Sequence, residues 1–438
     1  MLRKIVSLTF LSISTVAFSQ NNLREKLGNY LDSLYIHHKA MGSFAFADDN
    51  KPEFLKVTGF SDVANQQKAN MNTQYRIGSI SKTFTAVLIM KAVEERRLSL
   101  DTKLSDFYPE IENAQSITIE QLLQHRSGIH SLTDEAEFGS YYTQPQSEEQ
   151  LVSIIQKYKS DFRPGSQYAY SNSNYILLGL ILQKVYKKSY AQLIQEKISQ
   201  PLKLTYTQVG SKTDPSKNQA LSYQYVGNYM SFPETDMSIP LGAGNIISTP
   251  TELLQFIIGL EKGKLIKKKS LDQMKKFLDN YGYGIISNSF EKHQGFGHEG
   301  VIDGFRSTLY YFPDLKVGVS FVTNQSNYDN GDIFKKMMEV ALGKDFEMPN
   351  FKAAAVDENI LKKYEGIYKA EGFPLDIKIF VEDKTLKGQA TGQGAFPLKA
   401  LSETEFEFDL AGIKMKFDAA KKTMDFSQGG ANIIFNKQ

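Results

Sequence analysis

A serine and a lysine stand three residues apart at the head of an apolar run, in the segment RIGSISKTFTAVLIM at Arg76–Met90. The apolar run predicts a core helix that begins near Ser79 and places Lys82 one turn further on the same face. The N-terminus of a helix also presents free N–H groups and positive potential. The pair is therefore either a nucleophile with its base or a helix cap beside a solvated lysine.

The Ser-x-x-Lys pattern alone does not decide between these interpretations. A second copy occurs at Ser289–Lys292, in a glycine-rich stretch that predicts no helix behind it. Short patterns recur by chance, so the surrounding chain has to select among the copies.

Two further polar motifs follow Ser79 along the chain. The first, YSN at Tyr170–Asn172, precedes the apolar run YILLGLILQKVY, which places it at the start of another core helix. The second, HEG at His298–Gly300, precedes VIDGFRSTLYYF, which predicts a strand, a turn and a second strand. Each motif has a second copy, Y-x-N at 328–330 and H-x-G at 293–295.

In this order and context, the motifs resemble those of the penicillin-binding and serine β-lactamase superfamily, in the branch of class C β-lactamases, DD-peptidases and esterases. The resemblance extends over most of residues 21–342 and includes LLQHRSGI at 122–129 and GAGNIISTPTELLQF at 242–256. It implies an α/β (α+β) fold, in which helices flank an antiparallel sheet and an all-helical subdomain adjoins it. No cofactor or metal is expected.

The resemblance implies roles for three catalytic residues. Ser79 attacks an amide or ester carbonyl and forms an acyl-enzyme that water later hydrolyses. Lys82, which burial beside the serine would make easier to deprotonate, shuttles the proton. Tyr170 is the implied partner base, with its phenolate favoured by nearby positive charge.

The substrate-binding positions follow from the same resemblance. Asn172 holds the substrate amide and orients the lysine, and His298 adds a donor or a positive charge beside the tyrosine. The backbone N–H groups of Ser79 and Val301 are expected to form the oxyanion hole. Gly300 precedes Val301 because a side chain there would block the substrate. His125 is expected to be a hydrogen bond partner in the scaffold.

The third motif departs from the β-lactamase pattern and so bears on the substrate. Class C β-lactamases carry Lys-Thr-Gly where this chain has His298-Glu299-Gly300, which predicts poor penicillin hydrolysis. A carboxylate at Glu299, if it faces the cleft, favours esters, amides or a free amino group over a terminal carboxylate. Arg306 could restore carboxylate binding if it pointed inward.

The predicted function is a secreted serine hydrolase, of the type that cleaves D-amino-acid or cell-wall peptides. A carboxylesterase and a weak β-lactamase are the alternatives within the enzyme class. A penicillin-binding-like sensor or scaffold is the non-enzyme alternative, although such a protein would be expected to lack the serine, lysine or tyrosine. The chain contains neither the G-x-S-x-G elbow of α/β-hydrolases nor the H-E-x-x-H motif of zinc proteases.

Composition and the N-terminus bear on location and partners. Residues 1–19 combine a basic start, a short apolar stretch and small residues before a cleavage site, which predicts a signal peptide and a periplasmic or secreted protein. The apolar stretch is too short for a membrane span. A formal charge of +2 and no basic run interleaved with aromatic residues argue against nucleic acid, and the absence of cysteine excludes disulfides and thiol chemistry.

The C-terminal part has a different character. Apolar and polar residues alternate at Leu375–Ile379 and Ile413–Phe417, which predicts a small antiparallel, barrel-like β domain. With the YEGIY stretch at 364–368, this part resembles the lipocalin-like domains that follow such catalytic domains in bacterial secreted hydrolases. The predicted boundaries are 20–345 for the hydrolase domain, 346–358 for a linker and 359–438 for the β domain, which could shape the cleft, join a homo-oligomer or stabilise the chain.

Overall fold

A computed structural model describes residues 20–48, 51–351, 353–408, 411–428 and 431–438. The predicted signal peptide lies outside the described residues. The chain separates into two compact units, the first ending at Phe346 and the second spanning Glu347–Gln438. Among the described residues, no helix combines the length and the apolar character needed to cross a bilayer.

The first unit is built around an antiparallel sheet of six described strands in the order β10-β11-β12-β13-β1-β2. The strands of this unit are β1 (Ala40–Asp48), β2 (Lys51–Thr58), β3 (Phe60–Asp62), β4 (Gln67–Lys68), β5 (Tyr75–Arg76), β6 (Gln208–Val209), β7 (Tyr223–Tyr225), β8 (Tyr229–Ser231), β9 (Ile246–Ser248), β10 (Ile286–Phe290), β11 (His293–Ile302), β12 (Phe305–Phe312) and β13 (Val317–Ser326). A second, small antiparallel sheet has the strand order β5-β9-β6. Strand β5 comes shortly before the turn at Gly78–Ile80.

Helices cover the main sheet. Between β5 and β6 the chain, which is described throughout this stretch, forms helices and loops but no strand, apart from one isolated bridge between Lys103 and Thr118. The helices of the first unit are α1 (20–36), α2 (Ser81–Glu94), α3 (Ile119–Leu123), α4 (Phe138–Tyr141), α5 (Glu148–Lys157), α6 (Asn172–Tyr186), α7 (Tyr190–Ile194), α8 (Gln200–Leu202), α9 (Pro250–Glu261), α10 (Lys268–Met274) and α11 (Asn330–Ala341). Helices α2 and α6 are buried over most of their surface because apolar residues occupy nearly every side.

The second unit is a nearly closed antiparallel sheet, in which the described strands follow the order β17-β16-β15-β14-β22-β21-β20-β19-β18. Its elements are α12 (Glu358–Lys363), β14 (Gly366–Lys369), β15 (Ile377–Glu382), β16 (Thr385–Ala390), β17 (Phe396–Pro397), β18 (Lys399–Ala400), β19 (Glu405–Phe408), β20 (Ile413–Asp418), β21 (Thr423–Gln428) and β22 (Ala431–Lys437). Ile377, Ile379 and Met415 point into its own apolar core, as the alternation predicts. The predicted fold class is confirmed for both units.

Candidate active site

Two glycines allow the turn that carries Ser79 to lie against the end of strand β11 that β10 does not cover. Gly78 has a φ of +50°, and a Cβ on it would lie 2.9 Å from both the backbone N and O of Val301. A Cβ on Gly300 would lie 2.1 Å from the carbonyl oxygen of Ile77 and 2.9 Å from the backbone N of Ser79. The backbone of the nucleophile and the backbone of β11 therefore meet closely enough for two N–H groups to face one oxyanion.

The predicted helix start is displaced by two residues from the serine. Ser79 lies in a 3-10 turn at Gly78–Ile80, and α2 follows from Ser81. Ser307 on β12 donates its hydroxyl proton to the carbonyl oxygen of Ile77 over 2.7 Å. The turn is thus tied to the sheet by a side chain as well as by the close glycine contacts.

Lys82 is completely buried beside the serine. Its Nζ lies 2.9 Å from Ser79 Oγ, 2.8 Å from Asn172 Oδ1 and 2.9 Å from the carbonyl oxygen of Ala243. Burial lowers the pKa of the Lys82 amine well below its usual value, because the charged form loses its hydration. A neutral amine has two N–H bonds and one lone pair, which matches two carbonyl acceptors and a serine hydroxyl donor.

Tyr170 contacts the same serine from the open side of the site. Its hydroxyl lies 2.8 Å from Ser79 Oγ, and 36% of the residue is exposed. Removal of the hydroxyl from water raises the pKa of Tyr170, and the hydrogen bond with the serine only partly opposes this. The tyrosine is therefore a neutral phenol in the free protein, which differs from the phenolate that the resemblance implies.

Asn172 begins helix α6 and is fixed at both ends of its amide. While Oδ1 accepts from the lysine, Nδ2 donates to Thr133 Oγ1 over 2.9 Å. The backbone N–H of Asn172 also donates to Ser131 Oγ over 3.1 Å. These two hydroxyls set the orientation of the amide, so that its oxygen faces Lys82.

His298 is buried and uses both ring nitrogens. Because a carbonyl only accepts, Nδ1 donates to the backbone oxygen of Glu299 over 2.5 Å, and Nε2 is left to accept from the Tyr281 hydroxyl over 3.0 Å. Burial is the main cause that lowers the pKa of His298, to about 3. This finding argues against the predicted positive charge at His298. Its ring centre lies 6.5 Å from that of Tyr170.

His125 forms part of the support behind the tyrosine. Its ring centre lies 4.3 Å from that of Tyr170 and 4.7 Å from that of Tyr281. Nδ1 accepts from the backbone N–H of Ser171 over 3.1 Å, and burial lowers the pKa of the ring well below its usual value. This geometry supports the expected scaffold role.

The strand register places Glu299 and Arg306 away from the serine. Along β11, His298 and Gly300 share one face, and Glu299 faces the opposite side. The Glu299 carboxylate accepts from the Tyr310 hydroxyl over 3.2 Å, and burial raises its pKa. Arg306 pairs with Val301 and lies on the same far face as Glu299. Neither side chain is therefore aimed at the nucleophile.

The second Ser-x-x-Lys copy has no comparable surroundings. Ser289 lies on strand β10 opposite Gln294, and Lys292 lies in the turn between β10 and β11. Neither residue begins a helix, so this copy lacks the N–H groups of a helix start.

Sequence reasoning did not identify several contributors to the site, namely Tyr281, Thr133, Ser131, Ser307 and the carbonyl of Ala243. Each acts through a contact between segments far apart in the chain. Tyr281 stands in the glycine-rich stretch DNYGYGI at 279–285, which marks an irregular segment but does not indicate a partner. In the described part of the chain, no group of His, Cys, Asp or Glu has the arrangement of a metal site.

A beta-lactamase family model matches residues 32–340, well over half of the chain. The chain belongs to the beta-lactamase family. This result confirms the predicted relationship to the penicillin-binding and serine β-lactamase superfamily, on which the roles inferred for the motifs depend.

Among curated proteins, a teichoic acid D-alanine hydrolase of Staphylococcus aureus is 27% identical over 270 residues, which cover 60% of this chain and 65% of that protein. Protein flp of Staphylococcus aureus strain MRSA252 is 30% identical over 318 residues, which cover 69% of this chain and 62% of that protein. The chain thus spans less than two thirds of the length of these relatives.

Solved structures share the fold at lower identity. D-amino acid amidase from Ochrobactrum anthropi SV3 is 22% identical, with a TM-score of 0.65 over 73% of this chain and 98% of that chain. An octameric penicillin-binding protein homologue from Pyrococcus abyssi is 24% identical, with a TM-score of 0.66 over 94% of this chain and 99% of that chain. Hydrolases are thus present among both the relatives and the structural neighbours, which supports a serine hydrolase of this family.

Proposed function

We propose that this protein is a serine hydrolase that cleaves esters or amides of small D-amino acids through an acyl-enzyme. The single observation that carries the proposal is the convergence of two side chains on Ser79 Oγ, with Lys82 Nζ at 2.9 Å and Tyr170 Oη at 2.8 Å. A merely structural serine at a helix start needs neither contact. One relative is named a teichoic acid D-alanine hydrolase and one structural neighbour a D-amino acid amidase, and these names support D-alanine and other small D-amino acids as the acyl part of the substrate.

The first proton transfer follows from the two pKa directions. A lowered pKa at Lys82 and a raised pKa at Tyr170 favour a neutral amine beside a neutral phenol. The lone pair of Lys82 takes the hydroxyl proton of Ser79 as Oγ forms a bond to the substrate carbonyl carbon. The resulting oxyanion accepts from the backbone N–H groups of Ser79 and Val301.

The second half of acylation breaks the bond to the leaving group. Tyr170 donates its proton to the leaving oxygen or nitrogen, and the proton that Lys82 took from Ser79 then passes to the Tyr170 phenolate, so that both groups return to their neutral forms. The acyl group stays on Ser79, and a water molecule then attacks the same carbonyl with the same groups acting in reverse. In this scheme Lys82 is the first base and Tyr170 is the acid. The family resemblance implied instead that Tyr170 is a base.

The surroundings of β11 favour a substrate without a terminal carboxylate. His298 is neutral at physiological pH, and the guanidinium of Arg306 lies on the far face of the sheet. A carboxylate next to the scissile bond would therefore meet no fixed cation at the position where related β-lactamases carry a lysine. D-alanine esters and amides fit this environment better than a free D-Ala-D-Ala terminus or a penicillin. A carboxylesterase of small esters is the second candidate, favoured by the same lack of a cation.

The nucleophile assignment is tested with a fluorophosphonate probe on wild type, Ser79→Ala and Ser289→Ala. We expect labelling of wild type and of Ser289→Ala, and none of Ser79→Ala. Equal labelling of wild type and Ser79→Ala would reject the assignment, and loss of labelling in Ser289→Ala alone would transfer it to the second Ser-x-x-Lys copy.

The substrate class is tested by comparing D-alanine p-nitroanilide, L-alanine p-nitroanilide, p-nitrophenyl acetate and the D-Ala-D-Ala dipeptide. We expect the D-amide to exceed the L-amide and the dipeptide in kcat/KM. If only the acetate ester is turned over, the protein is a carboxylesterase and the D-amino-acid proposal is wrong.

The predicted signal peptide leads us to propose that the protein acts outside the cytoplasm. Fractionation of expressing cells would test this.

A further inference from the structure

A cavity of about 320 Å³ lies in the first unit between strand β1 and helix α9. Its buried apolar lining consists of Ala45, Ala47, Leu254 and Ile258, and the partly buried Leu202 extends it. Polar groups on the remaining side come from Thr251, Gln255 and Lys264. The volume is at the lower end of small-molecule sites, which run from about 300 to 1,000 Å³. The lining includes none of the residues assigned to the candidate active site.

The alternation along β1 creates this space. Phe44 and Phe46 point to one face of the sheet, and Ala45 and Ala47 point to the other. A methyl side chain leaves room that a larger residue on a central strand would normally fill. Helix α9 packs closely on the sheet at Gly318, where a Cβ would lie 2.8 Å from the Leu254 side chain.

The cavity faces away from the catalytic helix. Phe256 stacks on Phe84 of α2 with ring centres 3.7 Å apart. Leu254 and Ile258 lie on the opposite side of α9, because they are two residues before and after Phe256 at 100° per residue. A ligand in the cavity would therefore not enter the site of Ser79.

One cation stands at the opening. Lys264 follows the end of α9 and lines the cavity together with the exposed Gln255. Its backbone N–H donates to the carbonyl oxygen of Gly259 over 2.9 Å, which fixes the turn that carries it. Among the described residues, the Lys264 side chain has no ion-pair partner, whereas Lys275 nearby is paired with Glu261.

The chain segment that carries Lys264 is rich in lysine. The segment 262–276 contains seven lysines and a single acidic residue, Asp272. Lys267, Lys268 and Lys269 are all exposed. A cavity with a buried apolar lining on one side and an exposed lysine among its polar lining residues is complementary to a molecule with an apolar chain and an anionic head.

We propose that this cavity binds a fatty carboxylate, with the hydrocarbon chain between β1 and α9 and the carboxylate on Lys264. The hydrocarbon chain would cover the apolar part of the lining, and the carboxylate would form a charge-assisted hydrogen bond with the exposed lysine. The site is separate from the hydrolase chemistry, so this proposal does not rest on the proposed function.

The test is isothermal titration of the purified full-length protein with dodecanoate, below the concentration at which it forms micelles. Dodecyltrimethylammonium has the same chain and the opposite charge, and we expect it to bind at least about tenfold more weakly. Lys264→Glu should weaken dodecanoate binding by a similar factor. Lys269→Glu is the matched control with the same charge change in the same basic segment, and its affinity should stay within twofold of wild type.

Two further variants test whether dodecanoate binds in this cavity or on another apolar surface. Ala47→Leu should abolish binding by filling the cavity, with thermal unfolding as the check that the protein is folded. Ser79→Ala should bind dodecanoate as wild type does. The proposal is overturned if dodecanoate does not bind, if both charge reversals weaken it equally, if folded Ala47→Leu binds normally, or if Ser79→Ala loses binding.

Discussion

At the residue scale, the protonation states of the two groups that contact Ser79 decide how the site works. The serine oxygen lies between a fully buried amine and a phenol that is partly open to the cleft. The buried amine of Lys82 resists protonation, and the phenol of Tyr170 resists deprotonation. In the free protein, Ser79 Oγ is therefore already in contact with one base and one acid, and the proposed scheme uses these two groups.

The first prediction concerns the pH dependence of kcat/KM. Activity requires neutral Lys82, so it should fall as the pH drops through the lowered pKa of this residue, and the plateau should begin well below the usual lysine value of about 10.4. It should extend on the alkaline side because the pKa of Tyr170 is raised. Rates that instead rise continuously with pH towards the tyrosine pKa would identify a phenolate base.

Lys82→Arg tests the same assignment by replacing the neutral amine with a group that stays charged. A guanidinium stays protonated in proteins and cannot take the serine proton. We expect kcat to fall on the order of 10²- to 10⁴-fold, the usual contribution of general base catalysis. Lys91→Arg, a variant at the far end of the same helix, is the matched control and should keep wild-type kcat.

The second prediction concerns Tyr281, which lies outside the predicted motifs. Tyr281→Phe removes the donor to His298 Nε2 and leaves a buried acceptor unpaired, which should cost about 1–3 kcal/mol of unfolding free energy. The freed imidazole can reorient beside Tyr170, so kcat should fall while KM changes little. Urea unfolding and steady-state kinetics measure the two effects.

Tyr283→Phe is the matched control for Tyr281→Phe. Tyr283 stands two residues away in the same glycine-rich stretch, and its hydroxyl donates to Glu120 rather than to the site. A loss of kcat in Tyr283→Phe as large as that in Tyr281→Phe would mean that the whole segment, and not the bond to His298, is responsible.

At the element scale, the site depends on how closely the Gly78–Ile80 turn approaches β11. In Gly300→Ala, the new methyl group would lie 2.1 Å from the carbonyl oxygen of Ile77, and backbone cannot move aside as a side chain can. We expect a loss of about 1–3 kcal/mol in stability and a fall in kcat on the order of 10²-fold, because the N–H of Val301 shifts away from the oxyanion.

Gly139→Ala is the control for Gly300→Ala. Gly139 lies in helix α4, and a Cβ there meets no atom within 4 Å. Alanine in a helix is more favourable than glycine, so stability should be unchanged or higher and kcat unaltered. Normal activity in Gly300→Ala would contradict the proposed oxyanion hole.

The elements were more predictable from sequence than their contacts. Apolar runs predicted the helices that begin near Ser79 and at Asn172, and the stretch after His298-Glu299-Gly300 predicted two strands joined by a turn, because these patterns are local. The bonds from Thr133 to Asn172 and from Tyr281 to His298 join distant segments, and no local pattern encodes them. The lowered pKa of Lys82 agrees with the sequence-based expectation. The neutral forms of Tyr170 and His298 were not expected, since they depend on burial that only the packed structure defines.

At the scale of the whole molecule, the two units have separate apolar cores. The second unit contains a sheet of its own, with Leu361, Phe417 and Phe435 among its buried residues. A domain of this size with its own core can fold independently. The chemistry proposed for Ser79 uses only residues of the first unit, so the second unit is not required for acylation in this scheme.

The last prediction is that a chain ending at Phe346 stays folded and labels with a fluorophosphonate probe at Ser79, because every proposed catalytic group precedes that residue. Differential scanning calorimetry of the full-length protein should show two transitions, one of which matches the shortened chain. Size-exclusion chromatography of both proteins tests whether the second unit joins an oligomer, as sequence analysis proposed. If the shortened chain is folded but unlabelled, the second unit contributes to the site, and the one-unit scheme is wrong.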